Sequence, residues 1–114
     1  TLNFMIKKGC APKNITAVIG PCISVKNYEV KKDFIKKLIK KDGQNKKFFK
    51  KIQNKNFFNL KKYVYSQLKA LNIKKIDTIN KDTFDPKNNF FSARRSIRRN
   101  ESDYGRNISV IMIN

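Results

Sequence analysis

Apolar positions recur along this chain in two periods, with polar breaks between them. Leu2, Met5 and Ile6 fall at helical spacing, and Gly9 then Pro12 stop what they begin, so residues 1–8 are expected to form a helix. "NITAVIG", residues 14–20, is a β-branched run closed by Gly-Pro, which predicts a buried strand ending in a sharp turn. Val30, Phe34, Ile35, Leu38 and Ile39 make one apolar stripe with lysines opposite, the pattern of a helix packed on one side as far as Asp42-Gly43. Phe48, Phe49 and Ile52 in "NKKFFKKIQNK" predict a helical turn or two. Phe57, Leu60, Val64, Leu68 and Leu71 share a face and give the clearest helix, with Asn59 placed to cap it. Residues 74–79 read as a strand and 80–89 as a turn-rich loop. "NISVIMI", residues 107–113, is apolar on both faces and suits a strand in the interior of a sheet. The order of elements implies a mixed α/β sandwich, with helices packed on the outside of a mixed sheet.

Composition narrows the partners. The 114 residues suit one domain or a piece of one. The chain starts at Thr1, inside the first helical pattern, which leads to the expectation of an incomplete domain whose N-terminal part is missing. Lys and Arg number 27 against 8 Asp and Glu, a formal charge of +19 that attracts polyanions. A small basic nucleic-acid-binding module is therefore one reading. The lysines argue for a plainer one. They are spread as pairs such as Lys31-Lys32, Lys36-Lys37, Lys50-Lys51 and Lys61-Lys62, as solvated helix faces would have them. They also rise together with Asn and Ile, as AT-rich coding would produce. The chain has no histidine, so the usual general base and the commonest transition-metal ligand are missing. Cys10 and Cys22 form no CxxC and read as reduced thiols, consistent with a cytoplasmic location. No apolar run reaches the roughly 18 residues of a membrane span, and no membrane partner is expected.

Five arginines, the chain's full complement, fall within "FFSARRSIRRNESDYGR", residues 90–106. Arginine presents a planar fork of donors that matches phosphate or carboxylate oxygens. Phe90 and Phe91 before the first pair, and an apolar run after the last arginine, predict a folded loop rather than a loose tail. In extended backbone adjacent side chains diverge, so only one of Arg94 and Arg95 is expected to face a pocket, its neighbour pairing with Asp82, Asp85, Glu101 or Asp103. The alternative is that all five arginines meet local acids or solvent. "IGPCIS", residues 19–24, is a strand-end turn of the kind that carries site residues. Cys22 there has no histidine to activate it and reads as a small packed residue. Glu29 reads as a favourable charge near a helix start. Asp77, Asp82 and Asp85 match no known cation-loop spacing.

Three ordered stretches, "AVIGPCISVKNYEV", "DTFDPKNNFFSARR" and "DYGRNISVIMIN", resemble the YfiH-like, or laccase-domain, family, also called multicopper polyphenol oxidoreductases. The opening "TLNFMIKK" is similar to the helix that follows a histidine-bearing motif in that family. The resemblance covers nearly the whole chain and implies its C-terminal portion. It also implies a purine nucleoside phosphorylase with possible adenosine deaminase activity, taking a purine nucleoside and phosphate and no specific nucleic acid. Some members are linked instead to peptidoglycan editing. The implied cofactor is Zn2+, held by two His and one Cys from the N-terminal part. No ligand falls in this sequence, and the segment alone is expected to be inactive. Carried over by motif, the substrate- or phosphate-binding candidates are Arg94, Arg95, Arg106, Gly20, Pro21, Cys22, Tyr28 and Glu29. Ala93 departs from the aromatic or His usual at its position, and Arg98 from a His, which bears on substrate preference.

Overall fold

A computed structural model describes residues 1–112. It is of the mixed α/β class expected, with its strands divided between two small sheets. Helix α1 (Leu2–Lys7) ends where Gly9 takes a φ of +96, a conformation that favours glycine. Strand β1 (Thr16–Ile19) pairs in parallel with β5 (Lys75–Thr78). Between them run β2 (Glu29–Val30), α2 (Lys32–Lys41), β3 (Phe49–Ile52), β4 (Lys55–Phe58) and α3 (Leu60–Ala70). The second sheet is antiparallel, in the order β2-β4-β3.

The core explains this arrangement. Val30, Phe48 and Phe58 are buried, and Tyr28, Phe34, Ile35, Leu38, Phe49, Leu60 and Tyr63 pack around them. The stripe read along residues 30–39 therefore belongs to two elements, with Val30 in β2 and the rest on α2. Phe58 is the hub: its ring meets Phe34 at 5.2 Å, Phe49 at 5.1 Å and Tyr63 at 5.5 Å. Such aromatic pairs add stability beyond the area they bury. Asn59 caps α3, its side-chain oxygen accepting from the Lys62 N–H at 3.0 Å.

Two local expectations fail for identifiable reasons. The segment read as a helical turn becomes a 3-10 turn through Phe48, then the β3–β4 hairpin. Its two-residue turn uses Gln53 and Asn54, at φ of 46° and 61°. Both are left-handed, as a hairpin of this length needs, and the sequence lacks the Asn-Gly that usually announces one. Residues 107–112 form no strand and are exposed, with Ile108 at 89% and Met112 at 78%. Their path passes Gly20, where an added Cβ would meet Ser109 Oγ at 3.9 Å. It ends at a groove of about 830 Å³ whose lining includes Ile15, Thr16, Ile111 and Met112. The tail thus passes Gly20 and the start of β1 without joining a ladder. An apolar pattern makes a strand only where backbone partners complete it. Ile113, the last residue of that expected strand, lies outside the described residues.

Candidate functional site

The site candidates gather where the parallel strands end. Beyond Ile19 the ladder continues irregularly, because Pro21 has no N–H to donate. The Ile79 N–H reaches the Ile19 carbonyl at 2.9 Å, the Cys22 N–H reaches Lys81 at 3.3 Å, and the Thr83 N–H reaches Cys22 at 3.2 Å. Gly20, Pro21 and Cys22 therefore lie alongside residues 79–83. The carboxyl ends of parallel strands are where open α/β folds place their ligands.

Asp82 locks this strand end. It accepts from the Ser24 N–H at 3.1 Å, the Ser24 hydroxyl at 2.5 Å, the Asn27 amide at 2.8 Å and the Phe84 N–H at 2.8 Å. Burial alone would push its carboxyl above the ordinary value. The hydrogen bonds from Ser24, Phe84 and Asn27 outweigh burial and hold the carboxyl below its ordinary value. Asp82 is a structural tie, with its lone pairs committed to loop residues. Burial pushes the Cys22 thiol above its ordinary value; Lys61 opposes this and the Asp82 charge adds to it. A protonated thiol is a poor nucleophile, in keeping with the packing role read for Cys22.

The arginine segment is a helix, α4 (Ala93–Arg98), where an extended loop was expected. Ser92 caps it, accepting from the Arg95 N–H at 3.3 Å, and Asn100 beyond its end takes a φ of 55°. Ser92 and Asn100, flanking a run of good helix formers, are the sequence signals that would have found it. The helix changes which arginines act together. Arg94 and Arg98 are four residues apart and share a face. Each stacks on a ring, Arg94 5.4 Å from the Tyr28 centroid and Arg98 4.9 Å from that of Phe84. Arg94 Nη1 also donates to the Glu29 carbonyl at 2.9 Å.

Arg95 turns the other way. Its Nη1 donates to the carbonyls of Thr83 at 2.9 Å and Phe84 at 3.0 Å, and its Nη2 to Phe90 at 2.6 Å. The two arginines diverge, but not as expected: Arg95 meets backbone carbonyls where an acid was anticipated, and neither arginine lines either of two clefts elsewhere on the surface. Arg106 is confined to its own stretch, paired with Asp103 at 3.5 Å, stacked on Tyr104 and donating to the Tyr104 carbonyl.

Tyr28 links the site to the core, with its ring 5.8 Å from Phe58. Glu29 lies in β2 and its carboxylate pairs with Lys55 at 3.5 Å, which replaces the helix-start role read from the sequence. Phe84 and Asn107 are contributors that sequence reasoning missed. The Asn107 side chain accepts from the Phe91 N–H at 3.0 Å and donates to the Phe91 carbonyl at 2.8 Å, imitating a strand partner. Gly105 is required beside it, because a Cβ there would run into the Phe91 ring.

Zinc does not fit the donors present. Cys10 is exposed, Cys22 is half-buried, and among the described residues no three Cys, Asp or Glu side chains converge. Two clefts, of about 500 and 830 Å³, lie elsewhere on the surface, and no arginine lines either. Among the described residues no helix is long and apolar enough to cross a membrane.

This chain is 35% identical over 94 residues to a protein named purine nucleoside phosphorylase from Rickettsia prowazekii, covering 81% of the chain and 38% of the relative. It is 38% identical over 98 residues to another of that name from Rickettsia conorii, covering 84% of the chain and 40% of the relative. The chain thus spans about two-fifths of the length of these curated relatives. The profile of the family described as multi-copper polyphenol oxidoreductase laccase matches residues 1–114. The chain belongs to that multi-copper polyphenol oxidoreductase laccase family.

Proposed function

We propose that this chain supplies the phosphate-facing part of a purine nucleoside phosphorylase, an enzyme that cleaves a purine nucleoside with phosphate. The observation that carries this reading is the Arg94–Arg98 face at the end of the parallel strands, on a chain related to proteins of that name. Arg94 commits Nη1 to Glu29 and stacks on Tyr28, so its guanidinium is held in place while its remaining N–H groups can meet an anion. A fixed donor fork costs little reorganisation when charge develops on phosphate oxygens. Arg95 and Asp82 shape the loop that carries this face.

The segment is the C-terminal portion of one larger domain in this reading. Exposed Ile108, Val110, Ile111 and Met112 support it, since an apolar stretch of this kind is what further chain would cover. The zinc implied by the family resemblance would then be held by residues beyond this segment, and none of the chemistry assigned to this chain runs through it. The test is incubation of the full-length protein with inosine or adenosine, with and without phosphate. Phosphate-dependent release of the free base with ribose 1-phosphate is expected. Release that ignores phosphate, or no release from either nucleoside, overturns the proposal.

A further inference from the structure

A basic cleft lies where α2 meets the β3–β4 hairpin. A cleft of about 500 Å³ there is lined by Lys32, Ile35, Lys36, Lys51, Asn54 and Asn56. The hairpin register pairs Phe49 with Phe58 and Lys51 with Asn56, and strand alternation sets both pairs on one side of the sheet. Phe49 and Phe58 pack on Phe34 of α2, so Lys51 and Asn56 face the same helix further along. Lys32 and Lys36 are one helical turn apart and share a face. Asn54 is fixed in the left-handed hairpin turn.

This lining holds three ammonium groups and two amides, with no carboxylate. Glu29 is the sole acid of the antiparallel sheet, and Lys55 engages it at 3.5 Å. Among the described residues, Lys32, Lys36 and Lys51 take part in no ion pair. Like charges four apart on a helix already repel, and the hairpin adds a third to the same cleft. An anion seated there converts mutual repulsion into attraction, and the two amides can donate to its oxygens.

We propose that this cleft binds phosphates presented in series, as in a free oligophosphate or the backbone of single-stranded RNA. The site is independent of the arginine face. The test compares the full-length protein with a cleft variant, K32Q/K36Q/K51Q, and a charge-matched control, K13Q/K62Q/K74Q, whose lysines are exposed elsewhere. Two probes are titrated: inorganic tripolyphosphate by calorimetry and a fluorescein-labelled oligouridine by anisotropy across a salt series. The cleft variant should bind at least ~10-fold more weakly than the control. Its salt slope for oligouridine should fall by about 2, since three lost phosphate contacts contribute about 0.7 each. A loss confined to tripolyphosphate identifies free oligophosphate as the ligand, and a loss confined to oligouridine identifies the nucleic-acid backbone. Equal weakening in both variants, or binding unchanged in the cleft variant, overturns the proposal, because net charge alone would then account for the affinity.

Discussion

Replacing Arg95 by Lys separates scaffolding from ligand contact. The guanidinium spans three carbonyls, of Thr83, Phe84 and Phe90, at 2.9, 3.0 and 2.6 Å. Hydrogen bonds to a charged donor contribute roughly 1.5–3 kcal/mol each where water is excluded. Arg95 is half-buried, so about 1 kcal/mol apiece is the better figure, or about 3 kcal/mol in all. A lysine ammonium is a single point and keeps about one of these bonds, for a net loss of about 2 kcal/mol. The loss falls on the loop between β5 and α4, whose Phe84, Lys87 and Asn88 amides are hydrogen-bonded within it. Local opening should become more frequent by about 30-fold, and hydrogen exchange of those amides should accelerate to match. The assay is exchange read by mass spectrometry in the full-length protein, with an α3 peptide as internal reference. Unchanged exchange in the loop, together with a kcat/KM reduced at least ~10-fold, would refute the scaffolding role and make Arg95 a direct ligand contact.

Other outcomes follow from the same contacts. Phe58→Ala removes the core's central ring and should lower unfolding stability by about 3–5 kcal/mol in urea titration. Asp82 has a depressed folded-state value, so its contribution is present above the unfolded value near 3.9 and lost as pH falls through the lower folded value. Asp82→Asn should flatten the dependence of stability on pH below about 4, and an unchanged acid slope would remove Asp82 as a contributor. Iodoacetamide at neutral pH should label exposed Cys10 well before Cys22, whose thiol is pushed up by burial, as peptide mapping can score. Gly105→Ala should release the tail from Phe91, seen as faster exchange at the Phe91 amide.

What the sequence made legible was whatever a single element could state alone. The α3 stripe and its Asn59 cap, the stop at Gly9 and both parallel strands depend on local periodicity and on capping or turn chemistry. The hairpin was hidden because Phe48 and Phe49, adjacent rings, satisfy a helical and an extended pattern equally, and the Gln53-Asn54 turn carries no glycine. The arginine helix was hidden because, with only Ala93 and Ile97 apolar, it carries no stripe, and its start rests on the Ser92 cap alone. Residues 107–112 show the limit of pattern alone: a strand requires neighbours, and one chain segment's apolarity does not provide them. Within the site, Gly20, Pro21, Cys22, Tyr28, Glu29, Arg94 and Arg95 do gather around one strand end. Their division of labour depended on the third dimension, because only geometry shows that Arg95 serves the backbone while Arg94 rests on a ring.

The reading of the arginine face is tested most directly by the phosphate dependence of inosine cleavage in the full-length protein carrying Arg94→Gln. The account predicts a phosphate KM raised at least ~10-fold, equivalent to ~1.4 kcal/mol of lost binding, with exchange of the loop between β5 and α4 unchanged. An unaltered phosphate KM alongside a folded loop would contradict it.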